Sequence, residues 1–142
     1  MMEKRDNNID RRSRQVQAGV RGSGPVIYWM DRDKRAADNW ALLWAQQDAI
    51  SRSKPLQVLY CYDPTGSTLR HELFNLSGLA ELHENLYRYN IDFVLVEGDT
   101  NDPVGTLANH LKAMDAHVLV TDFSPLRMKC RHLEELAERI TV

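Results

Sequence analysis

Short apolar runs that alternate with longer amphipathic segments are the feature that most constrains how this chain folds. The run Val26–Met30 reads V-I-Y-W-M, which is typical of a strand buried on both faces of a sheet. Further apolar runs lie at 56–62, 92–96 and 117–121, and a helical pattern follows each run. This order, β-α-β-α-β-α-β-α, predicts an α/β fold with a parallel sheet and helices on both of its faces. Right-handed crossovers place the first strand centrally, in the strand order 3-2-1-4.

Each predicted helix is expected to bury one face against the sheet. The first follows the charged turn at 31–35, with Asp33 or Asp38 as its N-cap, and the second runs from about 69 to 89 with Asn90 as its C-cap. The third begins at Asp102 and Pro103, and the last spans roughly 126–139. The residues expected to face inward are Trp40, Leu43, Trp44 and Gln47, then Leu69, Leu73, Leu76, Leu79, Leu82 and Leu86, then Val104, Leu107, Ala108, Leu111 and Met114, and finally Leu133, Leu136, Ala137 and Ile140.

Length and charge indicate one domain with an N-terminal leader. The 142 residues suit a single domain, and a net charge of -2 with two cysteines gives no sign of a disulfide scaffold. Residues 1–24 lack periodicity, and residues 1–21 carry six basic and three acidic side chains. We therefore expect a flexible basic leader at 1–24, with a helical turn near 11–20, and a domain at 25–142 that stops before a fifth strand. The leader has no signal-peptide run, so we expect an intracellular protein without membrane contact, cytoplasmic or, in a eukaryote, nuclear.

A ligand crevice is expected where the strand order reverses, between the first and fourth strands. In a Rossmann-like, doubly wound sheet, ligands bind beyond the carboxyl ends of the strands at this point. Helix N-termini there attract anions, and two arginines add charge-assisted contacts. The alternative is that these charged residues cap helices and pair with one another. The candidate binding residues are Met30, Asp31, Arg32, Asp33, Asp122, Phe123, Ser124 and Arg127.

Familiar catalytic and metal-binding motifs do not occur in the sequence. It contains no Walker loop, no G-x-S-x-G elbow and no H-E-x-x-H pair, and its five histidines are scattered. The glycines of Gly22-Ser23-Gly24 precede the first strand, whereas a dinucleotide fingerprint follows a strand. We expect no catalytic residue and no metal site in this chain.

Two segments resemble DNA photolyases. The first, at 26–43, reads V-I-Y-W-M-D-R-D-K-R-A-A-D-N-W-A-L-L and is similar to the opening strand and helix of class II cyclobutane pyrimidine dimer photolyases. The second, at 120–127, reads V-T-D-F-S-P-L-R and resembles a run of the same class. The likeness covers about residues 25–142, and the two motifs together are specific to that family.

The resemblance implies the N-terminal α/β domain of a light-driven DNA repair lyase. In that family this domain can hold an antenna chromophore, which is a deazaflavin, a folate or a flavin mononucleotide (FMN). A larger helical C-terminal domain binds FAD and the flipped-out lesion, and it splits the cyclobutane ring by electron transfer. The chain is therefore expected to bind an antenna chromophore, to pack against its own FAD domain, and to meet damaged DNA only through the parent enzyme.

Alone, the chain is expected to be catalytically silent, without FAD, and able to self-associate through the surface that its partner domain covers. Two other functions fit the same residues. One is a cryptochrome-like domain that serves light signalling without repair. The other is a stand-alone α/β nucleotide-binding module that uses the same crevice.

Overall fold

The computed structural model describes residues 7–63, 65–99 and 101–140, and its central feature is a four-stranded parallel sheet. The strand order is β3-β2-β1-β4, as predicted. The elements in chain order are α1 (Asn7–Asp10), β1 (Val26–Trp29), α2 (Trp40–Ser51), β2 (Leu56–Tyr62), α3 (Leu69–Tyr87), β3 (Asp92–Glu97), α4 (Gly105–Ala113), β4 (Val118–Thr121) and α5 (Arg127–Ile140).

The first strand is central, as the apolar run at 26–30 predicts. It pairs in parallel with β2 on one side and with β4 on the other, so that Trp29 lies level with Leu59 and with Thr121. An isolated antiparallel bridge joins Asp99 and Asp102 in a turn after β3 and lies outside the strands. The predicted parallel topology is confirmed.

Two apolar cores lie on opposite faces of the sheet, because successive side chains of a strand point to opposite sides. Tyr28 and Val58 face the core that α2 and α3 cover. Ile27 and Leu59 face the second core, which α4 and α5 cover. This arrangement confirms the α/β architecture with helices on both faces.

The first long helix differs from its prediction in both its start and its buried face. It begins at Trp40, and its N-cap is Asn39, whose side-chain oxygen accepts a hydrogen bond from the Leu42 N–H at 3.0 Å. The expected caps, Asp33 and Asp38, were therefore wrong. The buried face contains Leu42, Ala45 and Ala49, whereas Trp40 is 46% exposed and Leu43 is 40% exposed. The alanines have small side chains, so α2 can pack close to the sheet.

The second long helix turns polar residues toward the sheet in its first half. Glu72 accepts a hydrogen bond from the Tyr62 hydroxyl group at 2.5 Å, and Asn75 Nδ2 donates to the Tyr60 hydroxyl oxygen at 3.4 Å, so both side chains lie over β2. Leu79, Leu82 and Leu86 are buried as predicted, but Leu69 is 77% exposed. Leu73 and Leu76 are exposed as well, so burial was wrongly predicted for the first half of the helix. The C-cap is Arg88, and Asn90 lies two residues later with a φ of 56°.

The remaining helices follow their patterns with small shifts. The Asp102 carboxylate accepts a hydrogen bond from the Gly105 N–H at 3.0 Å, but the helix itself starts at Gly105 rather than at Pro103. Met114 is exposed just beyond its end, while Leu107 and Leu111 are buried as predicted. In α5, Leu136 is the most buried of the expected residues.

The segment before the sheet contacts the domain at two places. The helical turn lies at Asn7–Asp10 rather than at the predicted 11–20. Within this turn Ile9 is buried, and α1 contacts α2. Next along the chain, the Arg12 guanidinium lies 4.3 Å from the centre of the Trp40 ring. Apolar cover for Ile9 explains why the turn forms there. The expectation for residues 1–6 lies outside the described part of the chain.

The segment before β1 also forms backbone hydrogen bonds to the turn before β4 through two glycines. The Gly24 N–H donates to the Asp115 carbonyl at 2.8 Å, and the Gly22 carbonyl lies 2.8 Å from Nδ1 of His117. A Cβ added at Gly22 would lie 2.0 Å from the Asp115 oxygen, and one at Gly24 would lie 2.0 Å from the Met114 oxygen. Close backbone approach therefore explains the Gly-x-Gly sequence, without any nucleotide.

We predict that Gly22→Ala destabilises the domain by about 1–3 kcal/mol, because the new methyl group must displace backbone. Gly19→Ala is the matched control, since nothing lies within 4 Å of a Cβ at that position. Urea unfolding followed by circular dichroism measures both variants. Equal unfolding midpoints for the two would contradict the close approach.

Candidate functional site

The residues predicted to form a crevice come together where β1 and β4 end side by side. Asp31, Arg32 and Asp33 follow β1, and Asp122 follows β4. The Thr121 hydroxyl donates to the Trp29 carbonyl at 3.1 Å, which adds a contact between the last residues of the two strands. The topology therefore places the two motif segments against each other, although about 90 residues separate them in the chain.

The Asp122 carboxylate is the centre of this site. Its Oδ2 accepts hydrogen bonds from the backbone N–H groups of Asp31, Arg32 and Asp33 at 3.0, 2.8 and 3.1 Å. Its Oδ1 accepts a hydrogen bond from the Tyr28 hydroxyl at 2.6 Å. One carboxylate thus accepts four hydrogen bonds, three from the loop after β1 and one from β1 itself.

Two buried residues that were not among the candidates support the carboxylate. Tyr28 lies on β1, and its hydroxyl oxygen is 2.9 Å from the Asn39 Nδ2. The same amide nitrogen is 2.9 Å from the Asp33 carbonyl. The signal was present in the sequence, because a tyrosine in the middle of a buried strand needs a partner for its hydroxyl group.

The environment of Tyr28 keeps its hydroxyl group protonated. Burial raises the pKa of Tyr28 far above its ordinary value, and the hydrogen bond to the Asp122 carboxylate raises it further. The hydroxyl group therefore serves as a permanent hydrogen-bond donor to Asp122 rather than as an acid or a base.

An ion pair joins the loop after β1 to α5. Lys129 Nζ donates to Asp31 Oδ1 at 2.7 Å, and both side chains are partly buried. On neighbouring β2, burial raises the pKa of the Cys61 thiol to about 11, with a smaller contribution from the Asp31 charge. Lys129 was not among the candidates, and its contact with Asp31 depends on how α5 packs.

The side chains of the other candidate residues lie in different surroundings. Phe123 is 82% exposed, and the side chains of Arg32 and Arg127 are exposed as well. Met30 is fully buried in the core, so its side chain does not face the crevice. The Ser124 hydroxyl accepts a hydrogen bond from the Leu126 N–H at 3.4 Å, at the approach to α5.

The expectation of two helix N-termini beside the crevice was wrong on the β1 side. The segment 30–39 is a loop, and α2 begins only at Trp40. Three N–H groups of this loop, those of Asp31, Arg32 and Asp33, are paired with Asp122. Only α5 begins soon after its strand, at Arg127.

The structure also contains two open grooves on its helical faces. One runs along α5 beside Arg127, Arg131 and His132. The other lies between α3 and β3, where His83 and Phe93 line it. Within residues 7–63, 65–99 and 101–140, no three His, Cys, Asp or Glu side chains are grouped to hold a metal ion.

Comparison with known proteins gives the family. A sequence model described as DNA photolyase matches residues 26–141, which include both motif segments. The chain belongs to the DNA photolyase family. It is 40% identical over 118 residues to a deoxyribodipyrimidine photo-lyase of Arabidopsis thaliana, and 41% identical over 106 residues to that of Potorous tridactylus. It is also 33% identical over 107 residues to a cryptochrome DASH of Solanum lycopersicum.

The photolyase match concerns one domain of much longer proteins. The aligned regions cover 82%, 73% and 66% of this chain but only 23%, 19% and 17% of these three relatives. The aligned part is the N-terminal α/β domain of the photolyases. In the described part of this photolyase domain, no helix is long and apolar enough to cross a membrane.

We predict that Tyr28→Phe destabilises the domain by about 1–3 kcal/mol, because Asp122 and Asn39 each lose a buried hydrogen-bond partner. Tyr87→Phe is the matched control, since Tyr87 is exposed and its replacement is expected to change stability by less than about 0.5 kcal/mol. Thermal and urea unfolding measure both variants. If the two variants are equally stable, the Tyr28 hydroxyl group does not support the site.

The two thiols should differ in reactivity. Cys130 is exposed, whereas Cys61 is partly buried with a pKa raised to about 11, so little of it is thiolate near neutral pH. Iodoacetamide is expected to alkylate Cys130 at least about tenfold faster, and mass spectrometry of peptides distinguishes the two positions. Unfolding in urea should bring the rates together. Equal rates in the folded protein would contradict the environment described for Cys61.

Proposed function

We propose that this domain is the antenna domain of a class II deoxyribodipyrimidine photolyase, an enzyme that repairs cyclobutane pyrimidine dimers in DNA with light. One observation carries the proposal. The two segments that resemble class II photolyases, at 26–43 and 120–127, supply the three side chains of a single network, namely Tyr28, Asn39 and Asp122. The motifs therefore describe one structural unit rather than two separate likenesses.

The parent enzyme would supply the chemistry through a separate domain. The resemblance implies a helical C-terminal domain that binds FAD, takes in the flipped-out lesion and donates an electron from the photoexcited, reduced flavin. Damaged DNA is then a partner of the whole enzyme rather than of this domain. The present chain would capture light and pass the excitation on, so none of its side chains takes part in the ring-splitting step.

The residues at the strand ends suit a flat chromophore. The exposed Phe123 ring offers a stacking face, and the exposed Arg32 offers a cation to a carbonyl or carboxylate at the edge of a ring system. Deazaflavin, folate and FMN all contain such a ring system. The proposed site comprises the loop 30–33 and residues 122–124, with Arg127 at its border, as the sequence analysis predicts.

Signalling is the second candidate function. The cryptochrome DASH relatives are 33% and 31% identical to the chain, and the same domain would serve a cryptochrome without repair. The photolyases of Arabidopsis and Potorous are closer, at 40% and 41%. Identity therefore favours repair, and a repair assay distinguishes the two functions.

A domain exchange tests the proposal. Residues 26–140 replace the homologous segment of the Arabidopsis photolyase, and the hybrid is assayed for light-dependent loss of thymine dimers at wavelengths that FAD and the antenna absorb. We expect the hybrid to repair dimers at both sets of wavelengths. We expect the isolated 142-residue chain to retain no FAD and to repair none. A folded, FAD-loaded hybrid without repair, or an isolated chain that is yellow and active, would contradict the proposal.

Arg32→Ala in the same hybrid separates light capture from repair. Loss of one charge-assisted hydrogen bond is expected to weaken chromophore binding by about 1–3 kcal/mol, while repair driven by direct excitation of FAD stays unchanged. Arg70→Ala is the matched control, because Arg70 is an exposed arginine on α3, outside the proposed site. Unchanged chromophore affinity in Arg32→Ala would remove Arg32 from the site.

A further inference from the structure

We propose that the Asp122 carboxylate is a built-in anion that takes the place of a bound phosphate at the end of β1, so that the crevice selects ligands with no phosphate at this position. The inference deepens the proposed function by naming the class of ligand that the site accepts. The hydrogen bonds on which it depends lie within the chain itself.

The loop after β1 has the geometry of an anion-binding nest. Three successive backbone N–H groups, of Asp31, Arg32 and Asp33, converge on one oxygen at 2.8–3.1 Å. In nucleotide-binding α/β domains, N–H groups at the end of the first strand hold a phosphate instead. Here each of these N–H groups has its one proton committed to Asp122. A phosphate can bind them only by displacing that carboxylate.

Buried side chains on the core side of Asp122 oppose displacement of its carboxylate. The Tyr28 hydroxyl group donates to its other oxygen at 2.6 Å, and Tyr28 is fully buried. Asn39 is buried as well and is fixed at the start of α2 by the hydrogen bond from the Leu42 N–H. Neither side chain can follow a displaced carboxylate to a new position, so displacement would break the bond to Tyr28 and leave its hydroxyl group without a charged acceptor.

The charged side chains of the loop have both signs and do not exclude an anion by their sum. Asp31 and Asp33 supply carboxylates, while Arg32, Lys34 and Arg35 supply cations. Lys129 on α5 is paired with Asp31 at 2.7 Å. A phosphate beside Asp122 is opposed instead by the N–H groups being occupied and by direct repulsion from the carboxylate that occupies them. A ring system stacked on Phe123 avoids that contact, provided that any phosphate it carries points away from β1.

Inorganic phosphate is the probe for the test. The ¹⁵N-labelled 142-residue chain is titrated with sodium phosphate against sodium chloride of equal ionic strength, and the amide signals of Asp31, Arg32 and Asp33 are followed by NMR. We expect no saturable shift in the wild-type chain. In Asp122→Ala the freed N–H groups should show saturable shifts, with phosphate affinity at least about tenfold above the wild type.

Asp63→Ala is the matched control. The Asp63 carboxylate accepts a hydrogen bond from the Thr65 N–H at 2.9 Å, at the end of neighbouring β2. When this carboxylate is removed, the amide signals of Asp31, Arg32 and Asp33 should still show no saturable shift with phosphate. A saturable shift in the wild-type chain, or a folded Asp122→Ala that shows none, would overturn the proposal.

Amide hydrogen exchange in the wild-type chain decides the matter if Asp122→Ala does not fold. If the three amides exchange slowly and phosphate does not change their exchange rates, the proposal is supported. If phosphate lowers their exchange rates, the proposal is overturned. These measurements use neither light nor FAD. The phosphate measurements can therefore support this proposal even if the domain exchange fails. Likewise, the domain exchange can succeed even if the phosphate measurements overturn this proposal.

Discussion

The hydrogen bonds of Asp122 join the end of β4 to β1 and to the loop that follows it. Four donors converge on this carboxylate, three from the loop after β1 and one from the Tyr28 hydroxyl group. The loop conformation, the direction of Tyr28 and the position of Asn39 at the start of α2 depend on one another through it. A carboxylate that accepts several hydrogen bonds in a partly buried site is costly to leave unpaired, so the network is made as a whole or lost as a whole.

The family relationship acquires a physical meaning through this network. Residues of the two photolyase-like segments contact one another, because Asp122 of the second segment accepts hydrogen bonds from Tyr28 and from the loop 31–33 of the first. The Asp122 side chain also explains why a Rossmann-like sheet need not bind a nucleotide: the chain has filled with its own carboxylate the position where related topologies bind phosphate. Phe123 and Arg32 remain exposed nearby, and these are the residues of the proposed chromophore site.

The sheet topology was predictable because it follows from periodicity and handedness. Nearly continuous apolar strands must be covered on both faces, and right-handed crossovers then leave few strand orders. The helix faces were less predictable. Trp40 and Leu43 were expected inside, but the chain buries Ala45 and Ala49 instead, because small side chains let α2 approach the sheet. The first half of α3 keeps its leucines exposed because Glu72 and Asn75 occupy the positions that face β2.

The sequence by itself determined the fold class, the strand order and the family, since each depends on local patterns or on short motifs that can be read without tertiary contacts. The ligand crevice at the strand ends stays a prediction. Only the tertiary structure decided which atoms meet there. Asp122 was predicted as a residue that binds a ligand, yet its oxygens bind the loop after β1. Tyr28, Asn39 and Lys129 entered the site unpredicted. Hydrogen-bond partners about 90 residues apart are set by the packing of whole elements, and no local pattern records that distance.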